Sequence, residues 1–241
     1  MSNLTVYQLP GGWGLESISP FCLKLDAILR LNGIPFTPVV VATPFAGPKK
    51  KAPWIELDGK AIGDSSLIIE ALRSANEFES EAGLDAKQHA LTVLVERLID
   101  ENLYWALVYD RWCRPENWPI LKQSVLGGMP VVIREIIAPL ARRSVKAQLK
   151  GHGMGLHKED EIVAIARRDI QALSALLDQN MFFHGANPSL IDATVFSLLA
   201  NIYFVAFSSP MKSIIREHPN LVAFMERFQQ AVYPKASLDA L

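Results

Sequence analysis

Residues 1–76 change their hydrophobic period from strand to helix and back, and the order of those changes constrains the fold more than any bulk property. "LTVYQL" (4–9) alternates as a strand does, and a loop with Gly11-Gly12-Trp13-Gly14 follows. From Pro20 to Leu31 the apolar residues Phe21, Leu25, Ile28 and Leu29 fall on one stripe of 3.6 period, and Asn32-Gly33 supplies a left-handed stop. "FTPVVVA" (36–42) reads as a second strand, parallel to the first if the helix is an ordinary crossover. "WIELDGKAIG" (54–63) is a hairpin with Asp-Gly at its turn. A helix from Ser65 to Asn76 then has Leu67, Ile68, Ala71 and Leu72 as its apolar face. The order is βαβ followed by ββα.

From Ala86 onward the alternation stops and the patterns are helical. "AKQHALTVLVERLIDENLYWALVYDRW", "MPVVIREIIAPLARRSVKAQLK", "EDEIVAIARRDIQALSALLDQ" and "NLVAFMERFQQAV" each read as helices. The acidic stretch "NEFESEAGLDA" (76–86) is the expected linker, dividing a small α/β domain (1–77) from an all-α domain (86–241). "ATVFSLLANIYFVAF" (193–207) is almost wholly apolar, but it is shorter than the ~20 residues a bilayer span needs. With Asp192 before it and Asn201 within it, a helix buried in the α-domain is expected, without membrane insertion. A net charge of -1 gives no bulk pull toward nucleic acid. Two cysteines, Cys22 and Cys113, are too few for a disulfide framework, and the start has no signal-peptide pattern, so a cytoplasmic location is expected.

The βαβ–ββα order is the thioredoxin layout, and three short features sit where that layout holds a ligand. Ser19-Pro20 starts the first helix as N-cap and N1. The Ser19 hydroxyl either only caps, or also joins the helix N–H groups in stabilising an anion placed there. Ala52-Pro53 enters the hairpin, where a cis bond would turn the backbone of Ala52 toward a ligand. Asp64-Ser65 opens the second helix, as a cap or as a receptor for a carboxylate and an adjacent ammonium. That last pair of charges is the α-amino-acid end of a γ-glutamyl group, and together the features favour a glutathione site.

The segments "SISPFCLKLDAILRLNGIPF", "KKKAPWIELDGKAIGDSSLIIEAL", "GHGMGLHKEDEI" and "FFHGANPSLIDATVFSLLA" resemble glutathione S-transferases, most of all the branch with failed-axon-connections proteins and metaxins. The resemblance implies a thioredoxin-like N-terminal domain and an all-helical C-terminal domain. It implies glutathione as co-substrate, no metal, a homodimer, and conjugation of the glutathione thiolate to a small hydrophobic electrophile. By the family pattern Ser19 donates a hydrogen bond to the glutathione sulfur, with Tyr7 and Ser17 as alternatives. Trp13, Lys51, Ala52, Pro53, Asp64 and Ser65 are the implied glutathione-binding residues. Tyr104, Tyr109 and Trp112 are the implied hydrophobic substrate wall, although each aromatic also reads as packing. Ser189 and Asp192 stand three apart before an apolar run, a variant of the capping box with a structural role in such proteins. Two other activities fit the same fold: a non-enzymatic adaptor of the metaxin kind, and a glutathione-dependent thiol oxidoreductase using Cys22. His152 and His157 have no partners at metal-ligand spacing and read as loop and helix-start residues.

Overall fold

The computed structural model describes residues 4–75 and 78–234. The linker positions Asn76 and Glu77, and with them the expected domain boundary and the end of the second helix, lie outside the described residues. Strand β1 (Thr5–Gln8), helix α1 (Pro20–Leu31), strand β2 (Thr37–Val40), the hairpin β3 (Trp54–Leu57) and β4 (Lys60–Gly63), and helix α2 (Ser65–Ala75) occur in the order the periods predict. They form a four-stranded sheet in the order β2-β1-β3-β4, with β1 and β2 parallel and the other pairs antiparallel. Between β2 and β3 the chain makes only a short 3-10 turn, Pro44–Ala46.

Period 2 assigns the faces of this sheet. Val6 and Ile55 pair across β1 and β3 and are wholly buried beside Leu25 and Ile68 of the two helices. Tyr7 and Trp54 pair on the other face, their rings stacked with centroids 4.8 Å apart. One expectation for α2 needs correction: Leu67 is 52% exposed, and Ile69 joins Ile68 and Leu72 in the core instead.

The helical domain contains α3 (Ala86–Arg97), a π-helical segment Leu98–Leu103, α4 (Tyr104–Trp112), α5 (Trp118–Leu126), α6 (Val131–His152), α7 (Glu159–Leu177), α8 (Leu190–Tyr203), α9 (Pro210–Arg216) and α10 (Pro219–Val232). The apolar stretch that raised the membrane question is α8, buried from Leu190 to Ile202 as expected. Among the described residues no helix is long and apolar enough to cross a membrane. Helix α1 lies between the sheet and α8, so it is buried beyond its apolar stripe, and its charged residues need partners. Lys24, 1% exposed, pairs with Glu96 at 2.9 Å and Asp100 at 2.8 Å, and Asp26 accepts from Tyr233 Oη and Arg30 Nε. These ion pairs tie α1 to the helical domain and hold its N-terminus at a fixed place between the two domains.

Candidate functional site

Strand register brings two of the three sequence features, Ala52-Pro53 and Asp64-Ser65, to one end of the sheet. Tyr7, next to the last residue of β1, pairs with Trp54, the first of β3, and Trp54 pairs with Gly63, the last of β4. Pro53 and Asp64 therefore flank the same cross-strand position, and the chain leaving β1 runs through residues 9–18 to the start of α1. The Ala52–Pro53 peptide is cis, as the layout requires. Asp64 is the N-cap of α2: its Oδ1 accepts from the N–H groups of Ser66 (3.1 Å) and Leu67 (3.3 Å), leaving the Ser65 N–H outside the cap. Its backbone has φ +90°, a left-handed conformation that costs a non-glycine residue about 1–3 kcal/mol. This strained residue has a second carboxylate oxygen that takes no part in the cap. Lys49 Nζ lies 4.0 Å from that oxygen, a pair that is half exposed. The sequence pointed to Lys51, which is exposed just before the cis bond; Lys49 is the lysine beside Asp64.

At the start of α1, Ser19 Oγ accepts from Cys22 N at 3.4 Å, a long cap bond, and Pro20 has no N–H to satisfy. The Phe21 N–H thus stays outside the cap, at the positive end of the helix dipole. Ser17 is wholly buried; its hydroxyl donates to Leu9 O at 2.9 Å and accepts from Ser19 N at 3.2 Å. It wires the loop to the residue after β1 and is closed off from solvent. Tyr7 lies on the sheet face opposite α1, stacked on Trp54, and burial with a hydrogen bond to Glu56 pushes its phenol up. Of the three thiol-activating alternatives, only Ser19 is both half-exposed and at the helix N-terminus. Cys22 is fully buried, and burial pushes its thiol up against the hydrogen bonds from Leu9, Ser19 and Ser17. A buried thiol with a raised pKa is a poor redox group.

The remaining predicted residues separate. Trp13 packs edge-on against Phe207 at 5.1 Å and so fixes loop 10–18 on the helical domain. Tyr104 meets Phe21 edge-on at 4.6 Å, beside the start of α1, and burial pushes its phenol up to about 12. Tyr109 and Trp112 do not join it. Tyr109 lines a small crevice with Arg114, Glu159 and Met211, and Trp112 packs near Trp118 at 5.9 Å. Of the three, Tyr104 packs against Phe21 in the first turn of α1. His152 stacks on Trp105 and reaches Glu101 O, and His157 lies beside Glu161; among the described residues no cluster is arranged to hold a metal.

Sequence reasoning missed Arg111. It is 6% exposed, and its guanidinium donates to Ile18 O at 2.7 Å, to Asn201 O at 2.6 Å and to Asn201 Oδ1 at 2.8 Å. Asn201 Nδ2 in turn donates to Ser17 O at 3.4 Å, so α4 and α8 together hold the backbone that leads into Ser19. The spacing of Tyr104 and Arg111, two helical turns, was the one available signal that they share a face.

Far from the site, the capping box at α8 is present. The Asp192 carboxylate accepts from Ser189 N (2.8 Å), Ser189 Oγ (2.7 Å) and Phe183 N (2.8 Å), and burial pushes it up to about 6 despite these bonds.

Residues 20–117 match the glutathione S-transferase N-terminal domain family and residues 166–228 the glutathione S-transferase C-terminal domain family. The isoprene-epoxide–glutathione S-transferase of Rhodococcus sp. (strain AD45) is 31% identical over 94% of this chain and 98% of its own. Failed axon connections of Drosophila melanogaster is 30% identical over 95% of this chain, which spans only 58% of that protein. A glutathione S-transferase of Methylobacterium radiotolerans, solved with glutathione sulfonate, superposes with a TM-score of 0.63 at 16% identity, covering 97% of this chain and 94% of that one. The sheet order, the cis-proline, the capped helix start, the two domain-family matches and the relative matched over 98% of its length agree, and the chain belongs to the glutathione S-transferase family.

Proposed function

We propose that the protein binds glutathione at the sheet edge and transfers its thiolate to a small apolar electrophile. The observation that carries this reading is the register that sets the cis Ala52–Pro53 bond and the strained Asp64-Ser65 cap on either side of the Trp54–Gly63 pair, with Ser19 capping the helix that follows β1. Asp64 and Ser65 take the charged γ-glutamyl end, the backbone of Ala52 pairs with the tripeptide, and Lys49 or Lys51 meets the glycyl carboxylate. Ser19 Oγ–H donates to the sulfur, which favours thiolate over thiol. The name of the Rhodococcus relative suggests an epoxide as electrophile. The sulfur would attack a ring carbon, the C–O bond would break, and the alkoxide would take a proton from water. A homodimer and a cytoplasmic location belong to the same reading; exposed Leu67, Val93 and Leu94 are apolar surface of the kind a subunit contact covers.

A steady-state assay with glutathione and a small alkyl epoxide tests this. The expected result is thioether formation above the uncatalysed rate, saturable in both reactants. If a panel of epoxides, alkyl halides and aryl halides shows no rate above background, the adaptor reading takes its place.

A further inference from the structure

We infer that Arg111, carried by the helical domain, is the buried counter-charge for the anionic sulfur of a thiol bound at Ser19. This rests on the glutathione reading above. A buried guanidinium is costly unless an anion meets it, and the bonds of Arg111 are to neutral groups: the carbonyl oxygens of Ile18 and Asn201 and the side-chain oxygen of Asn201. Its Nε is buried without a hydrogen-bond partner, and among the described residues no carboxylate forms an ion pair with it.

Asp110, its neighbour in sequence, is turned toward Arg114 at 3.5 Å instead. The ring of Phe207, 5.2 Å from the guanidinium carbon, closes another side. The cation thus sits one peptide unit from Ser19, where it forms no ion pair among the described residues and Asp110 is the acidic side chain that acts on it through space. Burial lowers its pKa to about 10, so it still carries its proton at neutral pH.

The arrangement divides the work at the site. Ser19 supplies the hydrogen bond and the α1 N-terminus its partial charge, while Arg111 adds a full charge that water cannot screen. The titratable groups around it are Tyr104 and Asp110 on its own helix, with Cys22 of α1 beside Tyr104. The residues it meets from α8 and the chain after it are Asn201 and Phe207, and neither ionises.

The test compares glutathione with S-methylglutathione, which has no ionisable sulfur, on the full chain and on Arg111→Met and Arg111→Gln. Gln keeps a polar group for the carbonyls without the charge and serves if the Met variant does not fold. Thiolate absorbance against pH is expected to place the bound thiol below the ordinary thiol range in the native protein. Either variant should raise that pKa by about one unit, roughly tenfold less thiolate at a given pH below it. Glutathione affinity should fall by a like factor at neutral pH while S-methylglutathione affinity changes less than twofold. An unchanged thiol pKa, or parallel loss of both ligands, would show that Arg111 is only a strut between domains. If the native protein binds neither ligand, the glutathione reading itself has failed; if it binds both and the variants behave like it, only this inference has.

Discussion

Asp192→Ala is expected to lower stability more than any change at the glutathione site, by about 3–5 kcal/mol. One carboxylate satisfies two backbone N–H groups and one hydroxyl, and all three lie within the core around α8. Removing it leaves those donors without acceptors, and each buried orphan costs about 1–3 kcal/mol before water enters. For a chain of 241 residues this corresponds to a fall in Tm of roughly 10 °C. The same group gives a pH signature. Its native pKa of about 6 lies above the unfolded value of about 3.9, so the folded state holds the proton more tightly. That contribution is fully present below about pH 4 and is lost as pH rises through 6. The stability of the native protein relative to Asp192→Asn should therefore be about 1 kcal/mol greater at pH 5 than at pH 7.5. Denaturant melts of the native protein and both variants at the two pH values measure this. A Tm shift of only a degree or two for Asp192→Ala would mean that the box is not what anchors α8.

Ser19→Ala is expected to have the opposite balance, a large loss of activity with little loss of stability. The cap bond it removes is long, 3.4 Å to Cys22 N, so the stability cost should sit near the low end of capping effects, about 0.5 kcal/mol. Loss of the one side-chain donor to the thiolate should lower kcat/KM roughly ten- to hundredfold near neutral pH. The deficit should shrink as pH rises, since hydroxide then does what the hydroxyl had done. Kinetics from pH 6 to 9 alongside a thermal melt separate the two effects. A Tyr7→Phe variant is the control: stacked on Trp54 on the far face of the sheet, it should leave the profile in place.

Most of the N-terminal site was legible because its signals are local. Ser-Pro, Ala-Pro, Asp-Gly and Asp-Ser each announce a backbone geometry within two or three residues, and the strand register between them follows from the hairpin turn. The helical domain was harder, for a specific reason. The helix beginning at Ala86 contains the π-helical segment Leu98–Leu103, whose wider turns shift the phase of every residue after it. An unbroken 3.6 period through residue 112 cannot say which face of α4 meets α1, so Tyr109 and Trp112 stood beside Tyr104 only as the family resemblance implied. Tyr104 and Arg111 share the face of α4 that meets Phe21 and Ile18. Helices α5 and α9, with nine and seven residues, are too short for a periodic stripe to stand out, and neither was anticipated. Arg111 was missed because a buried cation looks like any surface arginine until the carbonyl it meets, ninety-three residues away, is in view.

The central claim is that this sheet edge holds glutathione, and calorimetric titration of the full chain with glutathione tests it most directly. The expected result is saturable heat at one ligand per chain, lost or weakened at least tenfold in Ser65→Ala, with the variant still folded. A native protein that melts cooperatively but gives no heat with millimolar glutathione would contradict the account.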